Sequence, residues 1–189
     1  MFHLVLMLGI ALTLGFGLSW YALTDGKLFG TIEIGPWTAW RDVGRPSPDP
    51  YTRAFIVRSG GLELGTGEGL QFVATSDEDG RALTRACSYV VSGRTPTARF
   101  WTLVAVAPDT GALLARPDGP PAMVSTRLAR AEDGSFEIHV GRQLRPLNWY
   151  ELSGNGPYSL MLTLYDSASP SGAAPGSFVL PSIRRERCA

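Results

Sequence analysis

Two patterns of apolar residues divide this chain. From Phe2 to Leu23 the run is apolar almost without a break, interrupted only by His3, Thr13, Ser19 and small glycines. At 1.5 Å per residue such a segment forms a helix long enough to span the ~30 Å hydrocarbon core of a bilayer. Gly9, Gly15 and Gly17 fit, because glycine is more frequent in membrane helices than in soluble ones, and Trp20 and Tyr21 stand at the exit end, where amphipathic rings favour the headgroup level. A buried core helix is excluded by the length and by the lack of a polar face.

From Leu70 onward the period is two. Leu70, Phe72 and Ala74 alternate with Gln71 and Thr75. Cys87, Tyr89 and Val91 share a face. Phe136, Ile138 and Val140 alternate with Ser135, Glu137 and His139, and Tyr158, Leu160, Leu162 and Leu164 alternate with Ser159 and Thr163. This is the pattern of half-buried antiparallel strands. Phe100 to Val106 is apolar on both faces except at Thr102, which reads as a central strand. Phe100, Leu103, Val106, Ile138, Leu160, Leu162 and Leu164 are expected to face the interior.

Between the two patterns, residues 24–48 read as a linker, since Gly26, Gly30, Gly35, Gly44, Pro36, Pro46 and Pro48 break any long period. Trp37 and Trp40 within it are expected on the domain or membrane surface. Asp49-Pro50 supplies an N-cap acceptor and a proline at the first helical position, so a helix is expected from there to about Arg58, ending at Ser59-Gly60-Gly61. Turns are marked by Asp77-Glu78-Asp79-Gly80, Pro108-Asp109-Thr110-Gly111 and Glu132-Asp133-Gly134. The expected fold is mainly β: an antiparallel β-sandwich or jelly-roll-like domain over 49–189 with one short helix, preceded by a transmembrane anchor at 1–23.

Charge sharpens this division. The 189 residues carry 17 basic and 17 acidic side chains, none of them between Met1 and Thr24. A balanced charge gives no general pull toward nucleic acid or anionic lipid. A cleaved signal sequence is the rival of an anchor, but the basic leading segment is absent and Trp20-Tyr21-Ala22 puts a bulky ring where a cleavage site wants small residues. Lys27, Arg41 and Arg45 after the helix favour a cytoplasmic domain. Cys87 and Cys188 point the other way. They lack metal-site spacing and are either two unrelated buried thiols or a disulfide closing a loop of ~100 residues, worth up to about 4.7 kcal/mol in an oxidising compartment. A bridge would place the domain on the periplasmic side.

The search for chemistry returns little. Lys27 is the only lysine and is followed by Leu28, so there is no Walker phosphate loop. Gly65-Thr66-Gly67-Glu68-Gly69 lacks dinucleotide spacing and precedes a strand. No nucleophile elbow occurs, and a Ser-His-Asp triad would rest on His139, which with Glu137 is explained by the solvent face of an alternating strand. Asp77, Glu78 and Asp79 fit a β-turn better than a calcium loop. Arg184, Arg185 and Arg187 form a basic tail, which most simply solvates the chain end. No catalytic residue, cofactor site or metal site is expected, and the pattern leans away from an enzyme.

Two stretches carry a resemblance. Ala98-Arg99-Phe100-Trp101-Thr102-Leu103, followed by Asp109 and Gly111, resembles an "A-R-W-W-S-L … D-x-G" segment. Asn148-Trp149, Gly156-Pro157-Tyr158 and Leu162-Thr163-Leu164-Tyr165 resemble an "N-W-L-P … G-P-F … L-R-L-Y" segment. Both are found in the bacterial domain of unknown function 1214 family. Asp49-Pro50-Tyr51-Thr52-Arg53-Ala54 and the Asp79-Gly80 turn before Cys87-Ser88-Tyr89 are similar to its short, membrane-anchored branch. The resemblance implies a β-rich domain in the cell envelope, accompanied by a sister protein of the domain of unknown function 1254 family, and no settled reaction. The chain departs from the pattern at Tyr150-Glu151-Leu152 and at Thr163, where the family tends to arginine. Arg99, Trp101, Asn148, Trp149 and Tyr165 form the candidate interaction patch. The expected function is that of an inner-membrane-anchored accessory domain that binds its sister protein or an envelope glycan. The alternative is a small envelope hydrolase or isomerase working through carboxylates and arginines.

Overall fold

The computed structural model describes residues 2–25, 31–40, 43–59, 64–65, 68–116, 119–152, 154–167 and 178–188. The chain falls into two compact units, Met1–Thr31 with Trp40–Glu63, and Ile32–Ala39 with Leu64–Ala189. The first unit is helical. Helix α1 covers Phe2–Asp25, and its stretch Phe2–Tyr21 has a mean hydropathy of 1.9 and no buried residue. Large apolar side chains such as Leu4, Phe16 and Leu18 project from it exposed. Helix α2, Pro50–Ser59, starts where the cap pattern places it: the Asp49 carboxylate accepts from the backbone N–H of Tyr51 at 2.9 Å and of Thr52 at 3.2 Å. Those bonds, the side chain of Thr52 first, hold the Asp49 carboxyl below the usual carboxylate range.

The second unit is mainly β. Its strands are β1 Thr31–Ile34, β2 Trp37–Trp40, β3 Gly69–Ala74, β4 Cys87–Gly93, β5 Phe100–Val106, β6 Met123–Val124, β7 Phe136–Gly141, β8 Trp149–Glu151, β9 Ser159–Tyr165 and β10 Ser182–Cys188. They form a six-stranded sheet ordered β1-β2-β3-β9-β5-β6 and a four-stranded sheet ordered β10-β4-β7-β8. One core joins the inward faces, with Phe72, Leu103, Leu160, Leu162 and Leu164 from the large sheet meeting Tyr89, Val91, Ile138, Val140 and Tyr150 from the small one. Polar bonds cross between the sheets as well. The Tyr150 hydroxyl accepts from the Ala105 N–H at 3.2 Å and donates to the Pro121 carbonyl at 3.1 Å. Burial raises its pKa.

The structure departs from the sequence expectations in four places. Residues 31–40, inside the stretch read as linker, form the hairpin β1–β2. Its strands are too short to show a period, yet Trp37 is fully buried, not at a surface, and its indole N–H donates to the Pro181 carbonyl at 2.7 Å. Phe100 is not interior. Alternation turns Trp101, Leu103 and Ala105 inward, and Phe100, 36% exposed, stacks on Tyr165 with ring centres 4.3 Å apart. Strand β8 runs parallel to β7, where only antiparallel pairing was expected. The chain doubles back between them through Leu147, held at a φ of +66°. The basic tail is no fraying end, because Ser182–Cys188 pairs along β4.

Candidate functional site

The expected patch residues separate when placed in the fold. Trp101 lies in the core, 3% exposed, against Phe136. Asn148 is buried and acts as a clamp: its amide N–H groups donate to the carbonyls of Ala129 and Glu137, and its oxygen accepts from the Ala129 N–H at 2.8 Å. Arg99 and Tyr165 do come together, across the shared end of β5 and β9. There the Arg99 guanidinium faces the Asp166 carboxylate at 3.9 Å, well in solvent. Trp149 belongs to the other sheet.

Trp149 is the residue with a cavity beside it. On β8 the side chains alternate: Tyr150 enters the core while Trp149 and Glu151 face outward, half-buried. Trp149, Glu151, Arg116, Gly119 and Pro120 line a pocket of about 380 Å³. That volume falls at the lower end of the range for small-molecule clefts. The Arg116 Nη1 donates to both carboxylate oxygens of Glu151, at 3.1 and 3.3 Å. The indole N–H of Trp149 donates to the Gly141 carbonyl at 3.1 Å, which fixes the ring plane. Gly141 is itself constrained. It holds a φ of +154°, and a Cβ there would approach the Ser88 Oγ to 2.8 Å, so the position suits glycine.

His139 stands on the outward face of β7, next to Trp149 in the parallel register. Its ring nitrogens lie 3.9 Å from the Glu137 and Glu186 carboxylates, too far for hydrogen bonds. Among the described residues no cluster of three metal-ligating side chains occurs.

Cys87 and Cys188 are joined by a disulfide, their Cα atoms 3.9 Å apart and directly paired at the end of the β4–β10 ladder. The other tie on β10 gave no sign in the sequence. Asp77, in the turn after β3, is buried and its carboxylate lies 2.9 Å from the Arg185 Nε and 3.4 Å from the Arg81 Nε. Burial opposes its charge, but the Arg81 backbone N–H, the Arg185 and Arg81 guanidinium groups and the Asp79 N–H together hold its carboxyl below the usual range. Arg185 also donates to the Ala82 carbonyl at 2.7 Å and lies over the Tyr89 ring. The turn motif was visible; its countercharge, more than a hundred residues away, was not.

A two-sheet β-domain, an exposed apolar helix and a small aromatic pocket beside β8 define the class of chain without pointing to a reaction. Residues 68–169 match the family described as protein of unknown function (DUF1214), and the chain belongs to that family. No curated protein matches it. Among solved structures it is similar to the VPA0106 protein from Vibrio parahaemolyticus, with 15% identity, a TM-score of 0.60, and coverage of 75% of this chain and 36% of that one. It is also similar to an uncharacterized protein from Burkholderia cenocepacia, at 17% identity and a TM-score of 0.44, covering 88% of this chain and 38% of that one. The chain thus spans little more than a third of the solved proteins it matches. The first likeness shows the fold.

Proposed function

We propose that this chain is a single-pass bacterial inner-membrane protein of the short, anchored branch of its family. In this reading, residues 1–23 anchor the β-rich domain on the periplasmic side, where it serves as an accessory binding module for a sister protein of the domain of unknown function 1254 family or for an envelope glycan. The binding half of the reading is carried by one observation: the Trp149 pocket, whose indole is tied through its N–H to the Gly141 carbonyl and whose polar wall is an arginine–carboxylate pair. The location is supported by the apolar, exposed helix and by the bridge on β10, which suits an oxidising compartment. Hydrolysis or isomerisation by paired carboxylates has less support, since Glu151 is the one carboxylate among the described residues lining the pocket and Arg116 already engages it.

After a carbonate wash the full-mass protein is expected in the membrane pellet, and protease added to spheroplasts is expected to remove the β-domain. A shortened, soluble product would show a cleaved signal sequence instead. Purification of the membrane-extracted protein is expected to retain a stoichiometric partner protein or a glycan. Recovery of neither would end the binding reading.

A further inference from the structure

We infer that the pocket beside β8 is a subsite for one ring of a neutral oligosaccharide, with Trp149 as its stacking platform. The inference rests on the reading of the domain as a binding module and names the ligand class of that module. Three observations carry it.

The first is the pairing of an aromatic face with a polar wall. Trp149 and Glu151 are two residues apart on one face of a strand, about 6.6 Å along it. A flat, amphipathic ring can therefore rest its C–H face on the indole while its edge hydroxyls reach the carboxylate. A saccharide ring has that combination of apolar face and hydroxylated rim. A purely apolar ligand would leave Glu151 and Arg116 without new partners.

The second is charge. Arg116 and Glu151 hold each other at 3.1 Å, so the two charged side chains among the described lining residues balance and present donors and acceptors together. A phosphate or acidic sugar would gain the guanidinium only by meeting the carboxylate too. Vicinal hydroxyls lose nothing, because each can donate to Glu151 and accept from Arg116.

The third is preorganisation. The indole is already tied to the Gly141 carbonyl, and Gly141, at a φ of +154° with no room for a Cβ beside Ser88, holds a backbone conformation that suits glycine. A platform fixed before the ligand arrives gives up little side-chain freedom on binding.

The test uses the full chain in an amine-oxide detergent, since sugar-based detergents would occupy the site. Chitotetraose is the neutral probe and tetragalacturonate the acidic one, followed by saturation-transfer NMR and by the change in tryptophan emission. The wild type is expected to bind chitotetraose and not tetragalacturonate. Trp149→Ala should weaken chitotetraose about tenfold or more, and Trp149→Phe, which keeps a ring but loses the bond to Gly141, should fall between. Glu151→Gln leaves Arg116 uncompensated and should admit tetragalacturonate. An unchanged melting temperature for Trp149→Phe and Glu151→Gln separates these effects from unfolding. The inference is overturned if no neutral oligosaccharide binds, if the acidic probe binds the wild type better, or if Trp149→Ala binds as the wild type does. Should Trp149→Ala still co-purify with a partner protein while chitotetraose binds neither form, the binding module stands and the saccharide subsite falls.

Discussion

Strands β9 and β10 are both seven residues long, yet they are held in opposite ways. Strand β9 lies between β3 and β5, pairs along its whole length with β5 and from Leu160 to Tyr165 with β3, and has five buried residues. Strand β10 is an edge with β4 on one side only, and of its seven residues Ile183 alone is buried. The first is fixed by area removed from water, and a slip of one residue would turn Leu160, Leu162 and Leu164 out of the core. The second has almost no apolar face to set its register. Point attachments do so instead: the bond of Cys188 to Cys87, the buried pair of Arg185 with Asp77, and the Arg185 bond to Ala82. A diffuse force tolerates small changes at any one position. A point attachment does not.

The contrast can be broken most severely at the bridge. Cys87→Ser with Cys188→Ser should lower the unfolding free energy by up to about 4.7 kcal/mol, the chain-entropy value for a loop of ~100 residues. Chemical denaturation with and without reductant checks it: reductant should bring the wild type down to the variant and leave the variant unmoved. An equal midpoint for both proteins would show that β10 is held without the bridge.

Next comes the buried pair. Asp77→Asn leaves Arg185 without its countercharge and should cost about 3–5 kcal/mol. This effect carries a pH signature. The Asp77 carboxyl is lowered in the folded protein, so its contribution is complete above the ordinary carboxylate value of 3.8 and is lost as pH falls through the lower folded value. The stability difference between wild type and Asp77→Asn should therefore be flat near neutrality and shrink in acid below that value. A difference that persists undiminished at low pH would show that charge is not what Asp77 supplies.

The third test, with the lowest floor of the three, belongs to the diffuse side. Leu162→Ala should cost about 2–5 kcal/mol through lost burial and a residual cavity, with no dependence on reductant and none on acid beyond that of the wild type. Loss of only a few tenths would place that face of β9 in solvent.

The same contrast explains what could be seen in the sequence. In strands β3, β7 and β9 the large apolar residues share one face, and alternation in their own residues announces it, although β9 buries Ser159 and Thr163 on its other face as well. Helix α2 was legible because its cap is local, Asp49 bonding to Tyr51 and Thr52. Strands β1 and β2 are four residues each, too few to show a period, and Trp37 earns its burial from Pro181, far along the chain. Strand β8 is three residues long and is placed by Asn148, whose partners lie on other segments. The candidate site was legible only in part. Trp149 stood out as an aromatic beside a turn, but Glu151 and Arg116 had no pattern to mark them, since a pair thirty-five positions apart is joined only by the fold.

The strand order of the large sheet also has a consequence in time. Its central ladder pairs Leu70 with Leu164 and Phe72 with Leu162, so the two halves of that ladder leave the ribosome far apart. Non-local ladders of this kind are slow to form, because the loop between them must be closed before any contact rewards it. The large sheet therefore cannot close until β9 has been synthesised, and until then β3 and β5 lack the strand that joins them. On the proposed periplasmic placement that delay is useful: the segment stays threadable while it is being moved, and sheet closure becomes an event of the far side.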